Sequence, residues 1–364
     1  MGDDLFPALE ITEACNKTCT ACLRPHPKAT RKMSREQLSA YRKDLRALSA
    51  NHRIRYQFVT GGEPTVWKDG SLDIADALGA LAQLDFIDVL TVPTNGKVFE
   101  KLDVTQELLR RISRLAGRPV VVGLSIAEYQ ENLDERGSKP LDHLLRVSEE
   151  EDVNVLVITL VTLARDDGTS DRLSRQYPHV FQRITPLAPM GRAEQMLSRC
   201  PSLCLGSTDK GGLGAFREPF RQDVTAKLKV SDADFDALPN DELLNRLSAF
   251  NNCGQSLFID DRWRYCLPLR HDAAFDLGAI GEMRADAVRE FIAERPLLQA
   301  IRADGVVDAV RARRDSLSCT ARRALDALWD PETTVSPAYR GCMVCKAFYD
   351  RGILTELIHE RAWQ

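Results

Sequence analysis

Six apolar runs rich in Val and Ile recur through the first half of the chain with amphipathic helical patterns between them, and this alternation constrains the fold more than any other feature. The runs are Pro7–Thr12, Ile54–Thr60, Ile87–Pro93, Pro119–Ile126, Val153–Leu163 and Phe181–Leu187. Runs that are almost continuously apolar are what parallel strands buried on both faces require. Between the first two, Ser34-Arg-Glu-Gln37 is a capping-box pattern, and Leu38, Tyr41, Leu45 and Leu48 follow on one helix face. Ser71–Leu84, Thr105–Ala116 and Lys139–Glu151 read as further helices. Repeated strand–helix units imply right-handed crossovers and a parallel sheet, either open and doubly wound or an incomplete barrel. The first strand is not followed by a Gly-rich dinucleotide loop, which counts against a Rossmann fold.

Composition narrows the partners. With 364 residues, 44% of them hydrophobic, the chain can bury a large core, and one large domain plus a smaller one is expected. A formal net charge of −4 gives no electrostatic footprint for nucleic acid or an anionic membrane. Met1–Glu10 lacks the pattern of a signal peptide. The longest apolar stretch, Val153–Ala164, contains Asn154 and is far shorter than the roughly 20 residues of a membrane helix. These features predict a cytoplasmic protein. Ten cysteines in clustered spacings then point to metal or redox chemistry rather than disulfides.

Cys15, Cys19 and Cys22 are spaced C-x3-C-x2-C. Three thiolates cannot complete a tetrahedral four-ligand site, but they can hold three irons of a 4Fe–4S cluster and leave the fourth open. A zinc ion would need a fourth ligand, for which His26 is the nearby candidate. In α/β barrels chemistry collects on the loops after the strands. The cysteines follow the first strand, Gly61-Gly62-Glu63-Pro64 the second and Thr94-Asn95-Gly96 the third; Ser125 ends the fourth and Arg192 follows the sixth. Taken alone, Asn95-Gly96 is an ordinary turn.

After about residue 215 the rhythm fades, and the glycine-rich Lys210–Gly214 reads as a boundary between a barrel over 1–215 and a smaller domain over 216–364. There Cys253 and Cys266 flank two short strands turning at Ile259-Asp260-Asp261, and Cys342 and Cys345 form a C-x2-C pair. Together they make a four-thiolate set that suits zinc or an iron–sulfur cluster. Residues 281–338 read as helical, and Cys319 as a small buried residue. Cys200 and Cys204 fall just past the sixth strand, either as reactive thiols, as cluster ligands or as small packed residues.

The cysteine loop and the Gly-Gly-Glu-Pro segment, each following its strand, closely resemble those of the radical S-adenosylmethionine enzymes. The resemblance implies an α/β fold, a partial (β/α)6 barrel. It implies a 4Fe–4S cluster on Cys15, Cys19 and Cys22, with S-adenosylmethionine (AdoMet) held through its amine by Gly61, Gly62, Glu63 and Pro64. By the same resemblance Thr94 and Asn95 flank the cofactor, Ser125 approaches its ribose and Arg192 meets its carboxylate. Two departures stand out: Ala21 replaces the usual aromatic residue before the third cysteine, and Ser125-Ile126-Ala127 lacks the Asp that often follows the serine. The second cysteine set, with Leu277-Gly278-Ala279-Ile280, resembles the auxiliary-cluster "twitch" domain, which makes Cys253, Cys266, Cys342 and Cys345 ligands of a second 4Fe–4S cluster. Chains of this kind are similar to the radical dehydrogenases and epimerases of aminoglycoside assembly. That similarity implies a polar sugar- or cyclitol-type substrate and epimerisation or two-electron oxidation. It also implies an external one-electron donor of flavodoxin or ferredoxin type, and Cys200 or Cys204 as a hydrogen-atom donor. Radical modification of a peptide and a non-catalytic, zinc-stabilised binding protein are the alternatives.

Overall fold

Strand and helix alternate as the sequence predicts: β1 (Phe6–Thr12), α1 (Arg35–Ser49), β2 (Tyr56–Gly61), a small hairpin of β3 (Lys68–Asp69) and β4 (Leu72–Asp73), α2 (Ile74–Ala82), β5 (Val89–Thr94), α3 (Leu102–Ala116), β6 (Val120–Ala127), α4 (Ser138–Ser148), β7 (Val155–Leu163), α5 (Thr169–Gln176) and β8 (Gln182–Pro186). The computed structural model describes residues 5–19, 22, 31–127, 138–163, 169–186, 231, 233, 256–259, 261–265, 272–328, 345 and 348–359. The chain divides into two units: residues 1–196, 257–263 and 278–285 form the first, and residues 197–256, 264–277 and 286–364 the second.

Every pairing from β1 through β2, β5, β6 and β7 to β8 is parallel. The strands lie in sequence order without reversal, so each crossover runs the same way round and the helices collect on one side. That order belongs to a partial barrel; a doubly wound sheet would reverse at a switch point. Beyond β1 the sheet continues with β9 (Ser256–Ile259), β10 (Arg262–Tyr265) and β11 (Asp276–Ala279).

The register assigns each side chain a face. Gln57 of β2 accepts a 2.6 Å bond from the Tyr41 hydroxyl of α1, which marks its parity as the helix side. Val59, Leu9, Leu90, Val92, Val120, Val122 and Val157 share that parity and are buried. The opposite parity holds Ala8, Tyr56, Phe58, Thr91, Gly123, Ser125 and Leu156, a concave face on which Leu156 is 57% and Tyr56 39% exposed.

Helix α1 is a complete capping box: Ser34 Oγ accepts from Gln37 N and Gln37 Oε1 from Ser34 N. Its buried Asp44 accepts hydrogen bonds from the Trp263 indole (2.7 Å), Gly281 N (2.6 Å) and Met283 N (3.1 Å). Trp263 also packs its ring on Tyr41, with centroids 5.2 Å apart. One carboxylate thus staples the returning segments of the first unit to α1.

Some boundaries differ from the sequence expectation. The helix expected from Ser71 starts at Ile74, because Leu72–Asp73 pairs with Lys68–Asp69 and the Asp73 carboxylate caps the helix. Helix α5 went unforeseen, since Thr169–Gln176 holds one apolar residue, Leu173. In the second unit α6 (Ala287–Ala293), α7 (Pro296–Asp304), α8 (Val306–Arg311) and α9 (Cys319–Leu328) follow the helical expectation, and α10 (Ile353–His359) comes later. Cys319 is exposed at the start of α9, not buried: the face that α9 buries is carried by Ala321 and Leu325. No described helix is long and apolar enough to cross a membrane.

Candidate functional site

The loop after β1 leaves and returns at one place. Glu13 N donates to the Arg31 carbonyl (2.8 Å) and Met33 N to the Ile11 carbonyl (2.9 Å), so residues 31–33 run back along the end of β1. The buried Trp67, three residues past Pro64, donates its indole to the Met33 carbonyl at 2.8 Å. Arg31 adds side-chain contacts to Glu10 and Glu13. These bonds fix both ends of the loop that carries Cys15, Cys19 and Cys22, all three half-buried and outside any disulfide.

The loop after β2 lies hard against it. Gly62 N donates to the Thr12 carbonyl (2.6 Å) and Glu63 N to the Ala14 carbonyl (2.8 Å). A Cβ on Gly61 would stand 2.2 Å from the Thr12 oxygen, and one on Gly62 2.2 Å from the Ala14 oxygen. Both contacts are with backbone, and Gly61 has a φ of +154° besides. The two glycines therefore let the loops touch.

Glu63 lies 1% exposed between the second and third loops. Its Oε1 accepts from Thr65 N (3.1 Å), the Thr65 hydroxyl (2.6 Å) and the Thr94 hydroxyl (2.8 Å), while Oε2 accepts from Asn95 N (2.6 Å). Burial pushes its pKa above the usual carboxylate range, and these donors hold it partly back. Three of these donors crowd Oε1 and one meets Oε2, so Oε2 keeps a lone pair for one further donor such as an ammonium.

Asn95 joins the third loop to the first. Its side-chain amide donates to Cys15 Sγ (3.6 Å) and Asn16 Oδ1 (2.9 Å), and its carbonyl accepts from the Lys17 ammonium (3.1 Å). Burial raises the thiol pKa of Cys15 and Cys19 and lowers that of Lys17. Protons must therefore leave the thiols when a metal binds. Among the described residues, no three His, Cys, Asp or Glu side chains close on one ion. The half-buried thiols and the carboxylate with room for a cation match the donors that an iron–sulfur cluster and AdoMet need.

The structure thus brings together Cys15, Gly61, Gly62, Glu63, Pro64, Thr94 and Asn95, with Cys19 and Cys22 on the same loop. Ser125 sits in β6, one strand further along, on the concave face. Arg192, Cys200, Cys204, Cys253, Cys266 and Cys342 lie outside the described residues, as do His26 and Ala21. Cys345 is buried in the second unit. Sequence reasoning missed Asn16, Lys17 and Thr65. Thr65 has a local signal, a hydroxyl two residues after a carboxylate at a turn; Lys17 and Asn16 have none beyond lying between two cysteines.

Comparison with known proteins agrees with this geometry. Residues 9–161 match the model of the Radical SAM superfamily. The structure of Streptococcus suis SuiB bound to precursor peptide SuiA is similar, with a TM-score of 0.55 at 13% identity over 94% of this chain and 76% of that one. Native anSMEcpe with bound AdoMet and Cp18Cys peptide gives 0.49 at 14% identity over 99% of each chain. BtrN in complex with AdoMet and 2-DOIA gives 0.31 at 16% identity, over 52% of this chain and 72% of that one. The first likeness speaks for the fold alone, and the other two scores are too low to carry an argument. Comparison with curated proteins finds no match. The parallel partial barrel and the cysteine loop agree with the family match, and residues 9–161 are similar to the Radical SAM superfamily.

Proposed function

We propose that the protein is a radical enzyme that uses AdoMet to abstract a hydrogen atom from a carbon of its substrate. The observation that carries this reading is the junction of the first three loops, where a three-thiol loop meets a buried carboxylate with room for one cation. When bound, an iron–sulfur cluster and AdoMet supply a 5′-deoxyadenosyl radical after one-electron reduction. In this reading Cys15, Cys19 and Cys22 hold the cluster, Glu63 takes the amine, and Thr65, Thr94 and the Asn95 backbone keep Glu63 in place. Gly61, Gly62 and Pro64 set the distance between these loops. On the concave face the partly exposed Ser125, toward the rim end of β6, offers a substrate or cofactor a polar contact.

The substrate we infer is a polar small molecule of sugar or cyclitol type, epimerised or oxidised by two electrons. Cys200 or Cys204 serves as the hydrogen donor for an epimerisation, Ser125 and Arg192 contact AdoMet, and Cys253, Cys266, Cys342 and Cys345 hold a second cluster. The one-electron donor is of flavodoxin or ferredoxin type. A second reading, radical modification of a peptide, draws on SuiB, which is described with a precursor peptide bound.

The test is anaerobic reconstitution followed by strong reduction with AdoMet present. Release of 5′-deoxyadenosine and methionine, lost in Cys19→Ala, is expected; full cleavage by that variant would overturn the assignment. Product analysis in deuterated water then separates the outcomes, since solvent deuterium at one carbon marks inversion and a ketone marks oxidation.

A further inference from the structure

We propose that Asn95 sets the reduction potential of the cluster on Cys15, Cys19 and Cys22 by donating its side-chain amide to the Cys15 sulfur. The inference rests on the reading of those cysteines as cluster ligands. Hydrogen bonds to the sulfurs are among the factors that set iron–sulfur potentials, because they withdraw electron density from the thiolate and stabilise the reduced cluster.

The amide is held for this task from every side. Its Oδ1 accepts from Lys97 N at 3.0 Å, which fixes the orientation of the group and turns both N–H bonds toward the cysteine loop. One N–H reaches Cys15 Sγ at 3.6 Å and the other Asn16 Oδ1 at 2.9 Å. The residue's own N–H is bonded to Glu63 at 2.6 Å and its carbonyl to the Lys17 ammonium at 3.1 Å. Asn95 is also buried, so water does not compete for the N–H···S contact. It therefore touches the cysteine loop through its side chain and the candidate amine site through its backbone. A purely local role exists as well, since an Asn oxygen capping a turn two residues on is a common arrangement.

The two roles separate experimentally. Asn95→Asp keeps the turn-capping oxygen and removes the N–H, leaving a carboxylate beside the sulfur. EPR-monitored redox titration of the reconstituted full-length protein follows the cluster signal that changes on adding AdoMet. At fixed potential the ratio of reduced to oxidised cluster is expected to fall at least tenfold in Asn95→Asp, about 59 mV for a one-electron couple. Asn95→Ser, which keeps a hydroxyl oxygen and has no amide, is expected to shift in the same direction by less. The exchangeable protons coupled to the reduced cluster are expected to include one from the Asn95 amide that both variants lose, while the one from the Lys17 backbone N–H to Cys15 stays. Variants that load iron normally with an unmoved potential overturn the inference. If neither variant holds a cluster, Asn95 is a folding residue and the inference fails as well. If the native protein itself takes up no iron, it is the underlying reading that fails.

Discussion

Glu63 and Asp44 are both buried carboxylates at 1% exposure, and both have a pKa raised by burial, yet they sit in regions of opposite character. Asp44, in mid-helix on α1, takes its three donors from residues 263, 281 and 283, a chain segment that comes back from far away. Glu63 stands on the loop rim, and its donors come from the neighbouring turns at residues 65, 94 and 95. One carboxylate closes the fold. The other is presented, with capacity left on Oε2, where barrel enzymes keep their chemistry. Burial and a raised pKa alone do not separate a staple from a site; the origin of the donors and the remaining lone pairs do.

The contrast breaks most visibly on removing the rim carboxylate. Glu63→Ala is expected to weaken AdoMet binding by about 2–5 kcal/mol, roughly thirtyfold or more in Kd, because a buried partner of a cation is lost. Calorimetric titration of the reconstituted protein measures it, and an affinity within threefold of native would remove Glu63 from the site. Asp44→Ala should act on stability instead. Three buried donors lose their acceptor, for a loss of about 2–4 kcal/mol in denaturant unfolding, while AdoMet affinity of the folded variant stays within twofold. Comparable binding losses in both variants would erase the distinction.

A smaller and sharper effect lies in pH. A carboxyl whose folded pKa lies above its unfolded value holds its proton more tightly when folded. Stability from such a group is greatest below the ordinary pKa and declines as pH rises through the raised one. Asp44 and Glu63 share this slope in the ligand-free protein. An ammonium beside Glu63 favours the ionised form, so AdoMet affinity should increase with pH through the folded pKa of Glu63. Glu63→Gln flattens that part of the profile, and Asp44→Asn leaves it in place. Affinity measured from pH 5.5 to 8 checks this, and a Glu63→Gln slope equal to the native one would refute it.

How much of this was legible in the sequence follows from where each interaction is formed. The apolar runs gave the six parallel strands, since burial on both faces leaves its mark in the run itself. The rim motifs were legible because each closes on a short loop. Gly61 and Gly62 carried a motif signal, but their close approach to the Thr12 and Ala14 carbonyls needs two loops in space. The Asn95–Cys15 contact spans 80 residues and Trp263–Asp44 spans 219, and no local pattern encodes such pairs. Helix α5 was missed for the opposite reason, as one buried Leu173 is too little periodicity to read.

The Asp44 staple has a consequence for biosynthesis. Gly281 leaves the ribosome 237 residues after Asp44, roughly 10–50 s later at ordinary elongation rates. Through that interval the strand–helix units can assemble, while the flank of α1 around Tyr41 and Asp44 stays wet and without its cover. The nascent chain thus carries a patch that is apolar at Tyr41 and anionic at Asp44 until Trp263 and the turn at Gly281 arrive. For this barrel, completion waits on translation of a segment that lies outside its own repeating units.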